Sequence, residues 1–296
     1  MCVHPTTNQT DRINDIDNSP DKNLLSLIDD DLVLFDGECR YVEPNEAQIL
    51  NGKNAELRVL HANIHSIPSK IGEFKDLLET LKQRDICIDI ILLCETFLND
   101  FNKSNCQIDG YQLIEQHRIT KSKGGVAVYI NNKLRFKERN DLTIFKEGQF
   151  ESCFVEIYCK DRNILVGEVY RVPSSNEKDF IDDYESLLSK FKKEKKDIII
   201  GTDQNLDYLK INQHQNTAKF LEVNLSSNLL PTVTKPTRIT HSTATLIDNI
   251  YISSNISDNS TSCILLSDLS DHLPCLALIG NVKPENKSPL IFNTRK

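Results

Sequence analysis

Residues 195–209 read KKDIIIGTDQNLDYL, and this stretch decides how the chain is organised. Ile198, Ile199 and Ile200 follow a charged turn and end at Gly201, the pattern of a short strand buried on both faces. Asp203 and Asn205 then stand one residue apart where the chain should leave the sheet. In isolation such a pair is a polar turn, because Asn and Asp side chains bond readily to nearby backbone. A reactive pair would require other strands to deliver polar groups to the same rim.

Working outward, short apolar runs alternate with helical patterns. Strands are expected over 57–64, 89–95, 125–130, 152–159, 163–170, 197–202, 248–253 and 273–279, and helices over 68–84, 177–194 and 216–228. The first helix has Pro68 near its start and Leu77, Leu78 and Leu81 on one stripe. This alternation predicts an α/β or α+β domain over residues 55–280. Residues 1–54 are rich in Asp and Asn and are expected to be largely disordered, with a short helix or strand at the apolar patch 23–35. Residues 281–296 read as a tail or linker.

Composition narrows the class. With 296 residues, 39% hydrophobic and 26% charged, the chain can bury a large core. No apolar run approaches the roughly 20 residues of a membrane helix, and no basic-then-apolar leader opens the chain. The nine cysteines are scattered without a C-x-x-C pair and read as reduced core residues. The net charge of −8 is uneven: residues 1–54 hold eleven acids and four bases, and the remainder holds 32 acids and 31 bases. A near-neutral body leaves room for a local basic face that binds a polyanion.

The polar residues cluster at strand ends. One run ends in Asn63, the next in Glu95, a third in Tyr170 and Arg171, and the opening stretch in Asp203 and Asn205. Asp248 stands at the mouth of another strand, and Ser270, Asp271 and His272 precede the last. Each alone is an ordinary turn or surface residue. Converging at one rim of a sheet, such residues build a site.

The ordered set LHANIHSIPSKIGEF, ILLCETFLND, GGVAVYI, YRVPSS, IIIGTDQNLDYL, PTRITHSTATLIDNIY and LSDHLPCLAL, spread over 57–279, resembles the exonuclease–endonuclease–phosphatase superfamily. Within it the likeness is to the endonuclease domain of non-LTR (LINE-type) retrotransposons. The resemblance implies a four-layered sandwich of two packed mixed β-sheets flanked by helices. It also implies a departure: against the commoner G-D-x-N pattern, Thr202 is added before Asp203, which should change the shape of that loop.

Hydrolysis of a phosphodiester needs an activated water, neutralised phosphate oxygens and help for the departing oxygen. Hard carboxylate and amide oxygens suit Mg²⁺, with Mn²⁺ as a substitute. Glu95 is the first candidate ligand, and by resemblance Asn63 and Asp271 sit beside it. The resemblance gives Asp203 the attacking water and Asn205 a phosphate oxygen. It places His272 on the phosphate, oriented by Asp248, with Tyr170 donating its hydroxyl and Ser270 supporting the pair. DNA is the implied partner, touched by Arg171, Arg238, Lys235 and Arg118, with Lys121 and Lys123 in the same flanking loops.

In a LINE-type element such a domain nicks one target strand to leave a 3′-hydroxyl, which a reverse transcriptase in the same polypeptide extends. The resemblance therefore implies a monomeric domain acting in the nucleus, a location inferred from its substrate. Asp182 and Asp183 lie in a helix pattern and read as a solvated face, apart from any polymerase chemistry. Two alternatives stay open: another phosphoester hydrolase of the same fold, such as an abasic-site repair nuclease or an inositol or lipid phosphatase, and an inactive retroelement-derived relic.

Overall fold

The computed structural model describes residues 39–50, 55–240 and 242–287. In chain order its strands are β1 (Arg40–Val42), β2 (Leu57–Asn63), β3 (Ile90–Cys94), β4 (Tyr111–Gln116), β5 (Val126–Asn131), β6 (Phe136–Glu138), β7 (Phe145–Lys146) and β8 (Phe150–Ile157). They continue with β9 (Ile164–Arg171), β10 (Asp197–Asp203), β11 (Leu229–Pro231), β12 (Arg238–Ile239), β13 (Ala244–Thr245), β14 (Asp248–Ser253), β15 (Thr261–Leu265) and β16 (Cys275–Ile279). The helices are α1 (Ile67–Lys82), α2 (Glu177–Glu194) and α3 (Gln215–Ser226).

Two mixed sheets result. One runs β1-β15-β16-β2-β3-β5-β4, the other β11-β14-β10-β9-β8-β6 with β7 beside β8, and β12 and β13 form a separate hairpin. Within them β2–β3 and β9–β10 pair in parallel, while β10–β14 and β16–β2 are antiparallel. The two parallel pairs set Asn63 beside Cys94 and Asp203 beside Tyr170 in register. Their C-terminal ends are the rim that carries the polar residues.

The period of two along each strand separates the layers. Leu57, Val59, Ile90, Leu92, Val126 and Val128 join the apolar cluster that also holds Val166 and Ile199 of the facing sheet. Their neighbours Leu60, Ile91, Leu93, Ala127 and Tyr129 point the other way and pack with Phe74, Leu77 and Leu81 of α1. On the far side α2 presents Phe180, Tyr184, Leu187, Leu188 and Phe191, one stripe of a 3.6-residue period. Phe180 and Tyr184 meet Phe220 of α3 with ring centroids 5.6 and 4.9 Å apart. Asp182 is exposed and Asp183 pairs with Lys146 at 2.6 Å, as a solvated helix face requires.

The strands missed by pattern are mostly short or at edges. β4 is partly exposed along its length with the polar sequence YQLIEQ, and β6 and β7 carry only three and two residues. Residues 40–50, read as part of the acidic N-terminal segment, lie in the folded unit. There β1 pairs in parallel with β15, and the 3-10 turn Pro44–Leu50 buries Ala47 and Leu50. The apolar patch 23–35 lies outside the described residues. At the other end Pro284 and Asn286 bridge to Cys159 and Leu134, so the domain's pairing reaches beyond residue 280. The cysteines among the described residues are free, and all but Cys87 are buried. Among those residues no helix is long and apolar enough to cross a membrane.

Candidate active site

The deep part of the sandwich is apolar, but its inward positions turn polar toward the rim. Along β2 the inward series Leu57, Val59 continues as His61, Asn63, and along β9 Val166 continues as Glu168, Tyr170. Polar side chains from both sheets therefore face one another across the gap.

Asp203 and Asn205 are an Asx-turn and part of this site at once. The Asn205 amide donates to Asp203 Oδ1 at 3.1 Å, with Asn205 at φ 50. Asp203 Oδ2 accepts from Asn63 Nδ2 at 2.9 Å across the gap. Burial raises the Asp203 pKa first, and the neighbouring charges of Asp248 and Glu95 push the same way. Asn205 Nδ2 donates to the Arg171 carbonyl at 2.8 Å, leaving its second N–H for another acceptor.

Thr202 lies in regular strand: it pairs in register within β10, opposite Val169 and Asn249, and the strand runs on to Asp203. Its side chain points to the opposite face from Asp203, where Oγ1 bonds Gln204 Oε1 at 2.8 Å.

Asp248 and His272 form the expected pair. His272 Nδ1 lies 3.0 and 2.9 Å from the two Asp248 oxygens. The Thr237 hydroxyl donates to Asp248 Oδ2 at 2.6 Å and accepts from the Asp248 amide at 3.1 Å. Burial alone would lower the His272 pKa, but the Asp248 carboxylate overrides it and pushes the ring up to about 9. Asp248 itself is held well below the usual carboxylate range, burial being outweighed by His272 and His61. Ser270 ties the segment before β16 to the end of β2: Oγ donates to the Asn63 carbonyl at 2.7 Å and accepts from the His272 amide at 3.1 Å.

Asn63 links the two halves. Its Nδ2 also donates to Glu95 Oε1 at 2.9 Å, and the Tyr170 hydroxyl donates to the same oxygen at 3.0 Å. Burial and then the Glu95 charge raise the Tyr170 pKa, so the phenol stays protonated. Glu95 Oε2 faces His65 Nδ1 at 3.4 Å, and Glu95, His65 and Phe97 all hold positive φ values, of 48, 45 and 54°. Local strain of this kind persists only where surrounding structure enforces it.

These residues suit a hard divalent cation. Glu95 and Asp203 offer hard carboxylate oxygens bridged by Asn63 Nδ2, while Asn63 Oδ1 accepts from the His65 amide at 3.2 Å. Asp203, Asp248 and His272 also present ligand atoms within 4.8 Å of one another. Asp271 sits differently: its carboxylate is 46% exposed and held by Arg238 Nη2 at 2.7 Å. Lys70 lies close enough to feel the charges of both Asp271 and Glu95.

The structure places the basic residues expected on DNA in different settings. Arg171 ends β9 rather than lying in a loop, and it is buried. Its guanidinium donates to the Gln204 and Asn205 carbonyls at 2.6 and 2.7 Å, so it shapes the Asp203 turn from inside. Arg118 is tied to the buried Glu151, and Lys235 lies 5.6 Å from the centroid of the Tyr41 ring. Arg238 pairs with Asp271 at the surface, its side chain 43% exposed. Lys121 and Lys123 are exposed. His65, Thr237, His61 and Glu168 escaped the sequence reading. Thr237 lies within the quoted PTRIT motif and His65 two residues after Asn63, but nothing local marks either as a partner.

Residues 153–276 match the model of the endonuclease–reverse transcriptase family. No curated protein matches the chain in sequence. Among solved structures, the endonuclease domain of TRAS1, a telomere-specific non-LTR retrotransposon, aligns with a TM-score of 0.59 at 16% identity, covering 76% of this chain and 98% of that one. The catalytic domain of Xenopus laevis APE2 aligns at 0.58 and 17% identity, covering 78% and 94%. An AP endonuclease from Archaeoglobus fulgidus aligns at 0.57 and 14%, covering 76% and 99%. At such identities the structural likeness speaks for the fold. The chain thus shares its two-sheet fold with these endonuclease structures, and its segment 153–276 matches the endonuclease–reverse transcriptase family.

Proposed function

We propose that this chain is a Mg²⁺-dependent DNA endonuclease that hydrolyses one phosphodiester of a duplex and leaves a 3′-hydroxyl. The observation that carries the reading is the Asn63 amide joining Glu95 and Asp203 at 2.9 Å each, with the Asp248–His272 pair beside Asp203. A carboxylate for water, an oriented imidazole for phosphate and a hard-oxygen cation site are the parts that in-line displacement at phosphorus requires.

Asp203 orients the attacking water and takes its proton, a role served by a carboxyl whose pKa is raised by burial. His272 commits Nδ1 to Asp248, which leaves Nε2 to donate to a phosphate oxygen. The second N–H of Asn205 is a further donor at the same rim, and the Tyr170 hydroxyl, which donates to Glu95 Oε1, would have to leave that carboxylate to reach a phosphate oxygen. A divalent cation, held by Glu95 with Asn63 and Asp271 nearby and replaceable by Mn²⁺, would supply charge neutralisation on the phosphate and the departing oxygen. DNA binding would rest on backbone contacts and groove shape, with Lys121 and Lys123 among the cations. In a retroelement setting the 3′-hydroxyl would prime a reverse transcriptase, and a DNA substrate would put the reaction in the nucleus.

Supercoiled plasmid incubated with Mg²⁺ or with EDTA tests this. Open circles should form only with Mg²⁺ and be lost in Asp203→Ala and His272→Ala. Equal nicking by wild type and variants would overturn the reading. Release of phosphate from inositol phosphates without nicking would replace it with a phosphatase.

A further inference from the structure

One step deeper than Asn63 and Tyr170 on the same strands lie His61 and Glu168, both fully buried. His61 Nδ1 is 3.0 Å from Glu168 Oε2, and His61 Nε2 is 3.6 Å from Asp248 Oδ1. The second distance is too long for a hydrogen bond and is an electrostatic contact. With His272 on the far side of Asp248, a single line of side chains runs Glu168, His61, Asp248, His272 from the core to the rim.

An ordinary core offers no reason for this line. A buried His–Glu pair must be desolvated, and apolar residues of similar volume are often as stable or more so. The fold also gives up a side chain to make room. A Cβ on Gly201 would come within 2.6 Å of Glu168 Oε2 and 3.0 Å of His61 Nδ1. Gly201 lies inside β10 and is not among the positive-φ residues, so space is what keeps it a glycine. His61 Nε2 and Glu168 Oε1 have no hydrogen-bond partner, so the contact to Asp248 is the use to which Nε2 is put.

We propose that His61 and Glu168 are positioning residues that hold the Asp248 carboxylate from behind and thereby fix the His272 ring. Asp248 needs holding because its register partner is another carboxylate, Asp203. Thr237 fixes Oδ2 and His61 draws Oδ1 toward the core, so both oxygens stay on His272 Nδ1. Glu168 in turn fixes the His61 ring through Nδ1.

The catalytic arm of the test rests on the proposed endonuclease reading, and the spectroscopic arm does not. The full chain, with ¹⁵N-labelled histidine, is compared with Glu168→Gln, His61→Gln and a packing control, Val166→Ala. The His272 ring-nitrogen signals should move in the first two variants and stay in place in the control. Nicking should lose about tenfold in kcat with KM within about twofold, the scale for outer partners of an active-site group. Added to Asp248→Asn, His61→Gln should cost less than about twofold more, because its route is already cut. Unmoved His272 signals in both Glu168→Gln and His61→Gln, or fully additive losses with Asp248→Asn, would overturn the proposal. A wild type that never nicks DNA removes the proposed function, while the ring-nitrogen signals still decide this one.

Discussion

Asp203 and Asp248 are register partners on the adjacent antiparallel strands β10 and β14, so their carboxylates share the face between the sheets. Like charges directly opposite are costly in a sheet. The chain tolerates them because Asn63 donates to the first and His272 and Thr237 donate to the second. What remains of the repulsion appears in Asp203, whose pKa is raised by burial and then by Asp248.

That repulsion should be visible in stability. A carboxyl with its folded pKa raised from 3.8 to about 7 binds its proton more tightly in the folded chain than in the unfolded one. Stability without metal should therefore fall as pH rises through that window. Asp203→Asn should be more stable than wild type at pH 8 by about 1–2 kcal/mol and inactive in nicking. Urea unfolding at pH 5 and pH 8 measures the gap, and a variant no more stable at pH 8 would count against the account.

The Asp248–His272 pair carries the opposite sign. The His272 pKa is raised from 6.5 to about 9, so its contribution is fully present below 6.5 and is lost as pH rises through 9. Wild type should exceed His272→Gln in unfolding temperature at pH 6, and the difference should shrink by pH 10. Thermal unfolding followed by circular dichroism checks this, and a gap independent of pH would contradict it.

Cation binding should also stabilise the fold. A hundredfold excess of Mg²⁺ over its Kd is worth about 2.7 kcal/mol, which is several degrees in a domain of this size. Glu95→Gln should keep its metal-free unfolding temperature near wild type and lose the Mg²⁺ shift. An undiminished shift in that variant would place the cation elsewhere.

Arg171 and the exposed lysines should part company. Arg171→Met removes the guanidinium from the Gln204 and Asn205 carbonyls and should cost about 3 kcal/mol of stability, the scale for breaking a buried charged contact. Lys121→Ala with Lys123→Ala should leave stability unchanged and lower the salt slope of DNA binding by about 1 per lost phosphate contact. Unfolding and binding titrations between 50 and 200 mM salt, roughly the range where such slopes are read, separate the two.

The central strands were legible because each is a run of apolar residues bounded by turn chemistry, a property of neighbouring residues. The polar residues at their ends were legible for the same reason: Asn63, Glu95, Tyr170, Asp203 and His272 interrupt or follow apolar runs where a strand should stop. Edge strands such as β4 were hidden, since a half-exposed strand has no burial pattern to repeat. Arg171 was misread because exposure is not written in a residue's type. A strand-end arginine becomes a buried clamp only when a turn 33 residues later closes over it.

By itself the sequence determined the alternation of strands and helices, the residue types at the strand ends and their order, all set by local burial and turn preferences. Only the tertiary structure decided the register. Register put Thr202 in the strand, set Asp203 opposite Asp248 and committed Asp271 to Arg238. It also brought His61 against Glu168, 107 residues away, in the space a glycine leaves open. The physical reason is that charge, desolvation and steric room belong to pairs of residues, and pairs are chosen when the two sheets close on each other.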